Sequence, residues 1–113
     1  MAVLTDFFIK RRDTARPVVI DCLEDDGITI VTEDFTGATV EFHMQTGGVV
    51  FVGEGTVVDF DLRRLGYQWQ DPGETDHPEG VYPAEFEVTL EDGRVMTFPN
   101  AGNLSIHITE DLA

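Results

Sequence analysis

Between residues 80 and 99 apolar and polar positions take turns along the chain. Tyr82, Ala84, Phe86, Val88 and Leu90 alternate with Pro83, Glu85, Glu87, Thr89 and Glu91, the period of two of a strand with one dry face and one wet face. Asp92-Gly93 follows, a pair that tolerates positive φ, and Val95 to Phe98 returns. The segment therefore predicts an antiparallel hairpin closed by a two-residue turn.

The same pattern recurs in shorter form. Residues 4–9 predict a first strand, closed by Lys10-Arg11-Arg12. Residues 16–23 predict a second, with Pro17 near its start, where a missing N–H is tolerated. Glu24-Asp25-Asp26-Gly27 reads as a turn, and residues 28–32 as a short strand or an irregular excursion. Residues 36–44 place Ala38, Val40, Phe42 and Met44 on one face, as in a central strand. Gly47-Gly48 turns the chain into residues 49–52, and Gly53-Glu54-Gly55 separates these from a strand over 56–60. Residues 66–70 and 104–108 complete the set. Seven to nine short strands spaced about 8 to 12 residues apart predict an all-β chain, a single antiparallel β-sandwich of immunoglobulin-like or Greek-key type spanning 1–113 as one domain. Tyr82, just past Gly80 at the start of a late strand, stands where such sandwiches carry a corner tyrosine.

Charge changes the picture next. Twenty-two Asp and Glu face seven Lys and Arg, only one of them a lysine, for a formal net charge of -15. Such a surface repels nucleic acid. The acids are dispersed rather than gathered in a tail, and 42% hydrophobic content supports a folded domain. Dispersed acid with almost no lysine is the composition of a protein adapted to high salt, where self-repulsion is screened. A GC-rich genome favouring Arg over Lys, with an acidic surface for solubility, is the competing explanation. No stretch reaches the roughly twenty apolar residues of a membrane span, and residues 1–6 lack the basic and apolar regions of a leader. These readings predict a soluble, non-secreted product without a membrane partner. The lone Cys22, among Val18, Val19, Ile20 and Leu23, reads as inert core.

Catalytic and metal-binding chemistry finds little support. His43, His77 and His107 have no second His or Cys at ligand spacing, so no metal and no cofactor is expected. His43 and His107 fall on outward strand phases. His77, beside Asp76 and near Glu74 and Glu79, marks a loop where a polar cluster can form. Asp25-Asp26 and Asp59 with Asp61 carry no loop or elbow motif that would give paired carboxylates a task. Tyr67 and Trp69 point the same way, toward a core or, less simply, a sugar platform that Tyr82 would share. No enzyme is expected.

Sandwich edges are the functional feature that remains, because an open edge is either blunted or used to add a partner's strand. Phe7, Phe8, Ile9, Lys10 and Arg11 are the candidate protein-interaction residues: Phe7-Phe8 breaks alternation and a basic cluster follows. The segment is either such an edge or docking arm, or an ordinary first strand covered by its neighbour.

Read end to end, the chain resembles the N-terminal domain of the upper baseplate protein family of tailed viruses. The likeness is carried by Asp6-Phe7-Phe8-Ile9-Lys10-Arg11 with Asp13-Thr14, by residues 35–44, by Tyr67-Gln68-Trp69-Gln70, and by residues 80–86 with Phe98-Pro99-Asn100. It implies a non-enzymatic virion structural protein, made in the host cytoplasm, that joins other virion proteins as a homo-oligomeric tail or baseplate adaptor. A capsid decoration or turret protein is the alternative, and a small carbohydrate-binding module using Trp69, Tyr67 and Tyr82 a further one.

Overall fold

The computed structural model describes residues 5–110 and 112; Leu4, the expected start of the first strand, lies outside the described residues. Eight strands follow in order: β1 (Asp6–Lys10), β2 (Val18–Asp21), β3 (Thr39–Thr46), β4 (Val49–Asp59), β5 (Arg64–Tyr67), β6 (Gly80–Thr89), β7 (Val95–Phe98) and β8 (Leu104–Thr109). They form one path, β1-β8-β6-β3-β4-β5-β2, with β7 beside β6. The path folds over on itself into a nearly closed all-β sandwich, as the spacing of short strands predicts. Among the described residues the one helical element is a single 3-10 turn at Pro72–Glu74.

The long strand β4 makes the fold. Its first part, Val49 to Gly55, pairs with β3, and its second, Thr56 to Asp59, pairs with β5 on the opposite edge, with Val58 bulged out of register. One strand thus belongs to both layers. Sequence reasoning breaks it at Gly53-Glu54-Gly55, yet these glycines are not turns. Their missing side chains leave room on the inner face: a Cβ on Gly53 would meet Tyr67 and one on Gly55 would meet Val40.

Two further differences have local causes. The β6/β7 loop has three residues, Glu91-Asp92-Gly93, between Leu90 and Arg94, which are joined by Leu90 N to Arg94 O at 2.8 Å. Only Gly93 takes positive φ; the Asp92 carboxylate instead accepts from Arg94 N at 3.0 Å. This is a turn followed by a glycine bulge rather than the expected two-residue hairpin. And β1 pairs with β8 in parallel, an exception to the antiparallel expectation that the chain permits because all the other strands lie between the two in sequence.

The core gathers around Phe42, fully buried and stacked on Tyr67 at 4.9 Å between ring centroids, with Trp69 edge-on at 5.6 Å and Phe86 at 5.2 Å. Cys22 is buried among these layers and its thiol is pushed up by burial, with Asp21 adding to the shift. Tyr82 closes a corner, its hydroxyl donating to Pro78 O, the bond a corner tyrosine makes.

Candidate functional site: the outer face and free edge of β4

Alternation along β4 sends Phe51, Gly53, Gly55 and Val57 inward and Val50, Val52, Glu54, Thr56 and Val58 outward. Val50, Val52 and Val58 are each more than half exposed, and Phe60 beyond the strand is 51% exposed. Where β4 leaves β3 past the Val40–Gly55 pair, a groove of about 690 Å³ opens. Thr39, Glu41, Val52, Glu54 and Phe60 are among its lining residues.

The backbone is also available. Residues 49–55 have β3 on one edge, and among the described residues no strand pairs with the other. The chain that would continue β5 alongside them turns away instead: Gln68 donates from Nε2 to Thr14 O at 2.5 Å, and Gln70 N and the Tyr67 hydroxyl both donate to Glu74 Oε1, at 3.1 and 2.6 Å. An unpaired row of N–H and C=O groups beneath exposed valines is a template for another strand. Glu54 is the only charged residue between Val49 and Val58, so the edge lacks the lysines and prolines that usually blunt one.

Acid borders this surface. His43 lies opposite Val52 and Glu85 in the sheet; its Nε2 is 3.1 Å from Glu41 Oε1 and its Nδ1 is 3.9 Å from Glu85 Oε1. Glu54 pairs with Glu41 across the strands. The neighbourhood therefore favours a partner carrying positive charge beside apolar groups.

The expected interaction residues are distributed over both faces of β1. Phe7 packs partly buried against the core and Ile9 is buried. Phe8 points outward, 67% exposed, and stacks on His107 at 4.4 Å. Lys10 is exposed. Arg11 is a latch: its Nε and Nη1 donate to Asp76 and Glu110, each at 2.7 Å, which raises the guanidinium pKa and holds the Asp76 carboxyl below the usual range. With Thr75 Oγ1 donating to Asp13 O at 2.9 Å, the latch binds the end of β1 to the 72–76 loop. No site was expected in the His77 loop, the one place where a polar cluster could form, and none assembles there: Asp76 serves Arg11, Glu74 serves Tyr67, and the His77 ring lies against Tyr82. Trp69 and Tyr67 are 3% and 2% exposed, so no sugar platform exists and the carbohydrate-binding alternative falls. Sequence reasoning missed the β4 surface. The run Val49-Val50-Phe51-Val52 has no alternation to show which valines face out.

No family model matches the chain, and no curated protein matches it. Among solved structures it is similar to CopC from Methylosinus trichosporium OB3b, with 13% identity over 96% of this chain and 88% of that one, at a TM-score of 0.47. The comparison returns CopC where a virion component was expected. The tail or baseplate adaptor role, with its capsid-decoration alternative, is accordingly set aside, and so distant a likeness transfers no activity to this chain.

Proposed function

We propose that this domain is a non-catalytic protein-binding module that takes up an extended partner segment along the free edge of β4. The observation that carries the reading is the unpaired edge of residues 49–55 with Val50 and Val52 standing exposed beside it. Main-chain bonds along such an edge supply affinity, and the alternate side chains of the added strand supply specificity. Here the apolar side chains of the partner would lie over Val50, Val52 and Phe60, and its basic ones beside Glu41 and Glu54.

Fluorescence anisotropy with ten-residue peptides tests it. A labelled peptide alternating Ser with a same-face series of Val, Val and Lys (the Val/Lys peptide) is expected to bind saturably, and its counterpart with Glu in place of Lys to bind at least tenfold more weakly. The doubly substituted Val50→Lys, Val52→Lys chain, altered only at exposed positions, is expected to lose the Val/Lys peptide. Failure of every alternating peptide, or uptake that the double variant leaves unchanged, overturns the proposal. So does sedimentation equilibrium showing that a second copy of the chain occupies the same valines.

A further inference from the structure

The sandwich is not closed on every side. β2 does not pair with β7 or β8, yet Ile20 of β2, Phe98 of β7 and Leu104 of β8 line one cavity together with residues of two loops, the 24–27 turn and the 99–101 segment. Asn100 ties the loops together, its Nδ2 donating to Leu23 O and Asp25 Oδ1, each at 3.2 Å. Beneath this tie lies a cavity of about 360 Å³ whose floor is made of core residues, Ile20, Phe98 and Leu104. That volume falls in the range of about 300–1,000 Å³ in which small molecules are held.

Its border is of one sign. Among the described residues, Glu24, Asp25 and Asp21 line the cavity, and no Lys, Arg or His does. Asp21 is already neutralised by Arg64, whose Nε and Nη2 donate to its two oxygens at 2.7 and 3.3 Å. Glu24 has no side-chain partner among the described residues, and Asp25 has only the neutral amide of Asn100. Two carboxylates without a cation thus stand over an apolar floor, in a chain whose overall charge of -15 draws cations toward it. An anion is repelled from such a site, and a bare metal ion gains nothing from its floor. An ion with both a positive head and an apolar body satisfies both parts.

We infer that this seam cavity is a binding site for a small organic ammonium ion with an apolar body, the body seated on Ile20, Phe98 and Leu104 and the head between Glu24 and Asp25. The site is separate from the β4 edge and does not depend on it. A free amine and the lysine side chain of a partner protein share this chemistry.

Two-dimensional NMR titration of the whole chain tests the assignment with three probes of one shape: phenethylammonium, 2-phenylethanol and 3-phenylpropanoate. The ammonium ion is expected to shift the amides of Thr5, Leu23, Gly27 and Ala101 saturably, the alcohol to bind at least tenfold more weakly, and the carboxylate not to bind. Glu24→Gln with Asp25→Asn should reduce ammonium binding to the level of the alcohol. Ala101→Trp, at an exposed wall residue, should block both while the remaining spectrum keeps its dispersion. Equal affinity for the three probes, absence of saturable shifts, or binding unchanged in the double variant overturns the inference. An N-acetyl-lysine methylamide arm separates the sources: tighter binding than phenethylammonium assigns a partner's lysine, weaker binding a free amine, and both support the site.

Discussion

The ring of Tyr67 occupies the space where a side chain at Gly53 would stand, for a Cβ there would collide with Tyr67 Cε1. The ring has no way to retreat. Phe42 stacks on it, Phe51 and Trp69 meet it edge-on, and Glu74 holds its hydroxyl.

Gly53→Ala is therefore expected to overpack this cluster and destabilise the fold by about 1–3 kcal/mol. Gly80→Ala is the control: its nearest neighbour atom is 3.8 Å from the added Cβ, and its melting temperature should stay near that of the parent. Equal melting temperatures for the two variants would show that the Tyr67 ring moves freely.

Tyr67 also sets an alkaline limit. Burial first, then the hydrogen bond to Glu74 and the charge of that carboxylate, push the Tyr67 hydroxyl well above its ordinary range. The unfolded chain releases this proton near the ordinary tyrosine value of about 10 while the folded chain retains it. The contribution to stability is complete below that pH and is lost as pH rises toward the folded value. Denaturant midpoints measured from pH 8 to 11 should fall at the upper end, and the fall should be shallower in Tyr67→Phe. The variant should itself lose about 1.5–3 kcal/mol at neutral pH, the scale of a hydrogen bond to a charged acceptor.

At acid pH the sign is reversed. The Arg11 hydrogen bond, then the charges of Arg11 and Arg12, hold the Asp76 carboxyl below its usual range. This group binds its proton in the unfolded chain before the folded one. Its stabilisation is present above about pH 4 and disappears as pH falls through the lower folded value. The difference in melting temperature between the parent and Asp76→Asn should accordingly shrink as the pH is lowered from 5 to 2. A constant difference would mean that the latch acts by shape and not by charge.

Salt provides a further check. With a net charge of -15 and its few cations engaged in pairs such as Arg11 with Asp76 and Arg64 with Asp21, the chain carries repulsion that mobile ions screen. The melting temperature should rise with KCl into the molar range, and a flat or falling curve would count against adaptation to high salt.

What was legible in the sequence depends on whether a residue's neighbours are local. The alternation in β6 fixes which residues are buried, because Ala84, Phe86 and Val88 need only a strand with a dry side. Gly47 and Gly48 both adopt positive φ between Thr46 and Val49, as a two-glycine hairpin turn should. The tyrosine corner was equally local, four residues from Tyr82 to Pro78. By contrast, the unbroken course of β4 through Gly53 and Gly55 depends on Tyr67 and Val40 filling the inner face from other strands. The parallel docking of β1 on β8 joins residues about a hundred positions apart. The candidate surface was hidden for the same reason. Basic residues at 10–12 look like a patch until Asp76 and Glu110 are folded beside them, whereas the valines of β4 look like core until β5 is seen to turn away.

Because β4 runs through both layers, the sandwich has a spine. Tension applied to one layer is carried along a continuous backbone into the other. A segment gripping residues 49–55 would in that case brace the β5/β2 layer as well, and occupancy of one edge would be felt as stiffness across the entire fold.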